Sequence, residues 1–134
     1  MDLGGLCARE DLEIPGVRFA VLLSDDGLRI AHSSGVAKDD AERFAAAASG
    51  LRSLGKALGE FCGGTGNGVR QNMTEYDQGM ILITAAGEGA LLGVSTTTDI
   101  DVGLIAHRMN ELADRVGHEL GSQPRGSVDG GEMS

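Results

Sequence analysis

The segment Gly50–Ala57 (GLRSLGKA) fits G-x-x-x-x-G-K, the spacing of a phosphate-binding loop. The next position should be Ser or Thr, whose hydroxyl ligates Mg²⁺, but here it is Ala57. The segment also lies within a helical pattern, and a helical backbone bonds its N–H groups internally and cannot cradle phosphate. The pattern therefore disfavours nucleotide binding, and we expect Gly50 and Gly55 to allow another helix to approach closely.

Three carboxylate pairs could bind a metal ion or perform acid–base chemistry: Asp25 with Asp26, Asp39 with Asp40, and Asp99 with Asp101. Each pair lies at a predicted turn or helix start. Capping of free backbone N–H groups explains an aspartate at such a position without a metal-binding or catalytic role. The pairs are therefore expected to be structural.

The histidines and cysteines are scattered: His32, His107, His118, Cys7 and Cys62. They form no C-x-x-C, H-E-x-x-H or mixed metal-ligand spacing, and no nucleophile lies in an elbow motif. We expect two reduced thiols. The sequence therefore predicts no catalytic residue, cofactor or metal site, and indicates that the protein is not an enzyme.

Composition limits the partners. The chain has 134 residues, enough for one domain, with a formal net charge of -9 and a pI near 4.6. An acidic chain repels phosphate backbones, so nucleic acid is not an expected partner. No apolar run approaches the roughly 20 residues of a membrane span, and no secretory signal is recognisable. We expect a cytoplasmic protein without direct membrane insertion.

The hydrophobic pattern predicts five strands and two substantial helices, after a weak helix over residues 3–14. The predicted elements are strands Val17–Ser24 and Leu28–His32, helix Asp39–Cys62, strands Val69–Tyr76, Met80–Ala85 and Ala90–Thr96, and a helix capped by Asp99 or Asp101 that ends near residue 120. Gly63–Gly68 reads as a flexible link. Short turns favour antiparallel pairing, and helices on both faces give an α/β/α sandwich. The domain spans residues 1–120, and the polar, Gly-rich residues 121–134 are expected to be a disordered tail.

The long helix Asp39–Cys62 carries more apolar surface than one core requires. Its predicted N-cap is Asp39, with Glu42 as the reciprocal partner of a capping box. One face is built at three- and four-residue steps by Phe44, Ala47, Ala48, Leu51, Leu54, Gly55, Leu58 and Phe61. Its flank is also small: Ala41, Ala45, Ala46 and Ser49. A helix that is apolar on more than one side needs a second cover, which a second copy of the chain could provide.

Three segments of the chain resemble the roadblock family. Pro15–Gly35 resembles the family's first hairpin, Asp39–Phe61 its Ala-rich dimer helix, and Val69–Val116 its three-strand meander and last helix. Members of the family usually begin with a Leu-rich helix. Here Gly4, Gly5 and Arg9 make the corresponding segment less apolar and less favourable for a helix. The resemblance implies a profilin-like fold with a five-stranded antiparallel sheet, in the order helix, two strands, long helix, three strands, helix.

The resemblance also implies a homodimer, in which long helices lie side by side and middle strands pair edge to edge. The predicted dimer interface is Phe44, Ala47, Ala48, Leu51, Leu54, Gly55, Leu58, Val69, Gln71 and Met73. Bacterial relatives commonly act beside a small Ras-like GTPase, some with a sensor-kinase-like protein. The resemblance therefore implies a non-enzymatic adaptor, or scaffold, in a signalling complex.

Two points stay open at the level of sequence. Contacts to another partner are proposed at Ser49, Arg52 and Lys56, on the flank of the long helix, although simple exposure to solvent is the favoured explanation of Arg52. The alternative function is a small-molecule sensor, since profilin-like sheets can hold ligands. A sensor would need a pocket with convergent polar groups, of which the apolar strands offer few.

Overall fold

A computed structural model describes residues 15–63 and 68–122 of the chain. The strands are β1 (Val17–Ser24), β2 (Arg29–His32), β3 (Gln71–Tyr76), β4 (Gly79–Ala85) and β5 (Ala90–Thr96). The helices are α1 (Lys38–Leu58), followed by a 3-10 turn (Gly59–Cys62), and α2 (Val102–Ser122). The helix expected over residues 3–14 and most of the expected Gly63–Gly68 link lie outside the described residues.

The strands form one antiparallel sheet in the order β2-β1-β5-β4-β3. This arrangement confirms the predicted five-stranded antiparallel sheet and its order of elements. Strand β4 is an interior strand, as its apolar sequence predicted, but the middle position belongs to β5, which is buried along its whole length. Strand β3 forms one outer edge, and its far side meets no other strand of the described chain.

The sheet separates two apolar layers, one under each helix. On one face, Val21, Leu23, Ile83 and Leu91 pack with buried alanines of α1. On the other face, the sheet packs against Ile105, Met109, Leu112 and Val116 of α2. These four residues form the buried side of α2. The sandwich positions α1 beside the open edge of β3.

The two helix starts differ from each other in their capping. Ala37 is the N-cap of α1, it makes no side-chain cap bond, and its carbonyl accepts the Ala41 N–H at 2.9 Å. Asp39 already lies in the first helical turn, so the predicted capping box of Asp39 and Glu42 is wrong. Its charge still complements the positive end of the helix dipole. The start of α2 follows the prediction, because Asp101 Oδ1 accepts the Leu104 N–H at 3.1 Å.

Four boundaries differ from the predicted ones by a few residues. Leu28 precedes β2, and Val69 precedes β3, instead of belonging to those strands. The long helix changes from α-helical to 3-10 geometry at Gly59. Helix α2 ends at Ser122, two residues into the segment assigned to the tail, and the remainder of that segment lies outside the described residues.

Candidate functional site: the open edge of β3 and the outer side of α1

The side of α1 that faces the sheet is made of small residues. Ala41, Ala45 and Ala48 are buried, whereas Phe44 and Leu51 are partly buried at the margin of the same cluster. The sequence assigned Ala41 and Ala45 to the flank of the apolar face, but both contact the sheet and lie on the buried side of α1. A helix with alanines on its inner side can lie close to the strands. Its larger residues then lie at the margin of the contact or on the outer side of the helix.

Phe44 fits over a glycine of the central strand. A Cβ built on Gly93 of β5 would lie 2.5 Å from a Phe44 ring carbon. The Phe19 ring meets Phe44 edge to face, with centroids 5.4 Å apart and an interplanar angle of 81°. Phe44 thus has an intrasubunit role, in addition to its place in the predicted dimer interface.

Large apolar side chains remain exposed beside the open edge of β3. Leu54 is 66% exposed, Leu58 64% and Phe61 77%, on α1 and the 3-10 turn that follows it. Met73 of β3 is 48% exposed, and it pairs with Leu82, which belongs to the α2 side of the sheet. We call these four residues, with the outer edge of β3, the β3-edge surface. Exposed apolar side chains around an unpaired strand are typical of an interaction site.

The predicted interface residues are thus placed in three groups by exposure. Ala47, Leu54, Leu58 and Met73 are exposed in the single subunit, whereas Ala48 is buried against its own sheet. Phe44, Leu51, Gly55, Val69 and Gln71 are intermediate.

The two glycines of α1 have different surroundings. A Cβ on Gly55 would lie 2.8 Å from Asn72 Nδ2 and 3.6 Å from a Val69 methyl group, so Gly55 accommodates the approach to β3. A Cβ on Gly50 would meet no atom within 4 Å in the part of the chain that the structure describes. The close approach expected at Gly55 therefore involves a strand of the same subunit, and only Gly50 stays free to approach another chain.

Several buried polar atoms lack a hydrogen-bond partner in the described subunit. On α1 these are Nε and one terminal nitrogen of Arg52, on β3 they are Gln71 Nε2 and Asn72 Oδ1, and on β2 there is Arg29 Nε. Unsatisfied buried polar atoms carry a free-energy cost, so each calls for a partner atom. Two of the residues belong to the edge strand β3, where a second chain could supply such atoms.

The residues expected to contact a further partner are also separated. Ser49 Oγ donates a hydrogen bond to the Asp25 carbonyl at 2.6 Å, which ties the β1–β2 turn to α1. Lys56 is exposed in the last turn of α1, and Arg52 is partly buried. Ser49 is therefore occupied within the subunit, and Lys56 is the most accessible of the three.

The sequence motifs that could have bound phosphate or a metal ion lie in positions where they have structural roles. Gly50–Ala57 lies entirely within α1, so its backbone cannot form a phosphate loop. Asp26 accepts a hydrogen bond from the Ser24 hydroxyl in the β1–β2 turn. Among the described residues, no three His, Cys, Asp or Glu side chains are grouped closely enough to hold a metal ion. No helix in the described ranges has the length and apolar character to cross a membrane.

One open depression of about 270 Å³ lies at the end of the sheet near the β3–β4 turn. Its lining includes Phe19, Tyr76, Ile81 and Ser95, and the Arg18 guanidinium donates to the Gln78 carbonyl at 3.4 Å on its rim. The lining is mixed, because polar residues such as Arg18, Gln78 and Thr96 lie beside the apolar Phe19, Met80 and Ile81.

Comparison with known proteins agrees with this architecture. The family model described as Roadblock/LC7 domain matches residues 9–96. The chain belongs to the Roadblock/LC7 domain family. A crystal structure of a Roadblock/LC7 domain from Streptomyces avermitilis matches this roadblock domain at 34% identity and a TM-score of 0.83, covering 91% of this chain and 100% of that one.

More distant structures share the fold of this roadblock domain. Myxococcus xanthus MglB superposes with a TM-score of 0.77 at 18% identity, covering 90% of this chain and 96% of MglB. Acanthamoeba castellanii profilin IB superposes with a TM-score of 0.55 at 21% identity, covering 78% and 87% of the two chains. No curated protein sequence matches the chain. The roadblock and profilin-like fold that the sequence predicted is confirmed.

Proposed function

We propose that this roadblock domain is a homodimeric, non-enzymatic adaptor that regulates a small Ras-like GTPase in a bacterial signalling complex, with a sensor-kinase-like protein as a further partner. The β3-edge surface is the observation that carries the proposal. It combines an unpaired strand edge with Leu54, Leu58, Phe61 and Met73 exposed beside it. Family membership supports the choice of a second copy as the first molecule to cover that surface.

The homodimer would form by two contacts at once. The β3 edges would pair, and the exposed side of α1 would meet the same side of the partner's helix. Gly50 suits such a contact, because a Cβ added to it would meet no atom of the described residues within 4 Å. Glycine within a helix lowers stability by about 0.5–1 kcal/mol relative to alanine. Close approach by a second helix would explain why glycine occupies this position.

The GTPase would bind the platform that the dimer creates. Lys56 is exposed near the end of α1 and adds one positive group to an otherwise acidic protein. Since the residues offer no convincing catalytic group, any effect on GTP hydrolysis would come from reshaping the partner's own site.

A binding measurement tests this function. The roadblock domain is titrated with the GTPase encoded beside it, loaded with GDP or with a non-hydrolysable GTP analogue, and compared with the Leu54→Asp variant. The proposal predicts binding that depends on the nucleotide and is weakened in the variant. Equal binding of wild type and variant would contradict a dimer-built platform, and no binding in either nucleotide state would contradict the GTPase function.

The depression near the β3–β4 turn supports a second candidate, a profilin-like small-molecule sensor. Its volume of about 270 Å³ is small for a ligand site, and its polar lining residues include Arg18, Gln78, Ser95 and Thr96. Thermal-shift measurements against pooled metabolites distinguish this candidate, which predicts a raised melting temperature with one ligand class and loss of that shift in Ser95→Val.

A further inference from the structure

We infer that two copies of the chain join their β3 strands in one register, with Met73 of one subunit directly opposite Met73 of the other. The inference rests on the homodimer of the proposed function, and it adds the residue pairs that meet at the symmetry axis. Two observations lead to it, the direction of the backbone groups of β3 and the unsatisfied side-chain atoms of the strand. They are combined with the twofold symmetry that the proposed dimer would have.

The backbone of β3 directs alternate residues towards the open edge. A two-residue turn, Asp77–Gln78, joins β3 to β4, and Tyr76 pairs with Gly79. A hydrogen-bonded turn of this length directs the Tyr76 backbone groups towards β4. Hydrogen-bonded pairs alternate along an antiparallel ladder, so Thr74 and Asn72 also bond to β4.

The remaining residues of the strand therefore point outwards. Gln71, Met73 and Glu75 direct their N–H and C=O groups away from β4, to a side where the described chain offers no strand. These are the groups that a second strand would bond.

Twofold symmetry restricts how a second copy can meet them. An axis perpendicular to the joined sheet keeps every side chain on its own face, and directly opposite residues of an antiparallel pair share a face. A residue at the axis must therefore lie opposite the same residue of the partner strand. In the middle of β3, the axis can pass beside Asn72, Met73 or Thr74, and we call this residue the centre of the register.

Only a twofold axis at Met73 pairs all three outward-directed residues of β3 with one another. It places Gln71, Met73 and Glu75 opposite the same three residues of the partner strand. A centre at Asn72 would place Glu75 opposite Val69, which precedes the strand. A centre at Thr74 would place Gln71 opposite Asp77, which lies in the turn.

The side chains complement one another in the same register. With Met73 at the axis, Gln71 lies opposite Glu75, and Asn72 lies opposite Thr74. Gln71 Nε2 lacks an acceptor and Asn72 Oδ1 lacks a donor in the described subunit. A rotation of each side chain would bring Gln71 to the Glu75 carboxylate, which accepts, and Asn72 to the Thr74 hydroxyl, which donates. A centre at Asn72 would instead place Gln71 opposite Met73, which offers no comparable acceptor.

Disulfide trapping tests the register. Cys7 and Cys62 are replaced by Ser, and Asn72→Cys and Thr74→Cys are then introduced in separate chains. In the Met73 register, residues 72 and 74 of different copies form a non-hydrogen-bonded pair with Cα atoms about 4.5 Å apart, within disulfide range. A mixture of the two variants is therefore expected to give a disulfide-linked heterodimer.

Neither cysteine variant should crosslink alone in this register. Identical residues 72, or identical residues 74, would be about 8 Å apart from strand rise and spacing, beyond the limit of about 7 Å. Crosslinking of Asn72→Cys alone, or of Thr74→Cys alone, would overturn the Met73 register and leave the homodimer standing. A dimeric mass without any crosslink would also overturn the register. A monomeric mass of the cysteine-free parent would overturn both the register and the proposed homodimer.

A charge substitution tests the same pairs independently. Gln71→Glu places two like charges opposite each other at both symmetric positions, and it should raise the dimer Kd by roughly 2- to 30-fold. Adding Glu75→Gln to that variant should restore the Kd, because it exchanges the two groups. Glu88→Gln, in an exposed turn of the described chain, is the matched control and should change nothing. An unchanged Kd in Gln71→Glu would contradict the register.

Discussion

At the scale of single residues, the small residues of α1 and β5 have separable roles. Gly93 makes room for the Phe44 ring, which a Cβ would approach to 2.5 Å. A Cβ on Gly50 would contact no atom within residues 15–63 and 68–122. The first glycine is thus a requirement of the fold, and the second is a candidate requirement of the assembly.

This difference predicts opposite effects of two alanine substitutions on the isolated subunit. Gly93→Ala should lower the free energy of unfolding by about 1–3 kcal/mol, because the added methyl group overpacks the core. Gly50→Ala should raise it by about 0.5–1 kcal/mol, because alanine favours the helix. Urea unfolding in the Leu54→Asp background, where the subunits should be separate, measures both. Destabilisation by Gly50→Ala in that background would show an intrasubunit role for Gly50.

Leu54 gives a direct test of the β3-edge surface. It is 66% exposed, so Leu54→Asp should change the stability of the subunit by no more than about 0.5 kcal/mol. In a dimer the charge would be buried, and association should weaken by about 2 kcal/mol or more. Leu51 is a poorer choice for this substitution, since it packs against its own core.

The control for Leu54→Asp lies on the other helix. Leu104→Asp introduces the same charge at an exposed leucine of α2, across the sheet, and should leave association unchanged. Sedimentation equilibrium of the three proteins gives the comparison. If Leu104→Asp weakened the dimer as much as Leu54→Asp does, the interface would be misplaced.

At the scale of elements, the strands could be predicted more closely than the orientation and ends of α1. Val17–Ser24 and Ala90–Thr96 were predicted with their observed bounds, because apolar runs between turn residues leave little choice. The orientation of α1 could not be read in the same way. Its sequence is apolar on two sides, and only packing against the sheet shows that Ala41, Ala45 and Ala48 lie inside.

Helix caps show a similar limit. Both Asp39 and Asp101 precede helical patterns, but only Asp101 has a side-chain oxygen bonded to a free N–H of its helix. The N-cap of α1 is Ala37, whose backbone is extended while the next residues turn into the helix. Residue type cannot distinguish these cases, because a cap depends on where the backbone changes conformation.

The observed caps predict unequal effects of two substitutions. Asp101→Ala should lower the free energy of unfolding by about 0.5–2 kcal/mol, since it removes the bond to the Leu104 N–H. Asp39→Ala should cost less, about 0.3–1 kcal/mol, because it removes only a favourable charge near the helix start. Urea unfolding of both variants measures the difference. A larger loss in Asp39→Ala would contradict the observed start of α1.

At the scale of the whole molecule, the candidate site was predicted in outline. The sequence indicated an excess of apolar surface on the long helix, and the resemblance to the roadblock family implied that middle strands pair edge to edge. The structure leaves Leu54, Leu58 and Phe61 exposed and places β3 at the edge of the sheet. The unsatisfied atoms of Gln71 and Asn72 could not be anticipated, because hydrogen-bond satisfaction depends on three-dimensional neighbours.

The solution mass of the protein tests the central claim, that two copies cover each other's β3-edge surface. Light scattering after size exclusion, at micromolar concentration, should give twice the chain mass of 13.8 kDa for the wild type. Leu54→Asp should move the mass towards that of one chain. A wild-type protein that stays at the mass of one chain across this concentration range would contradict the claim.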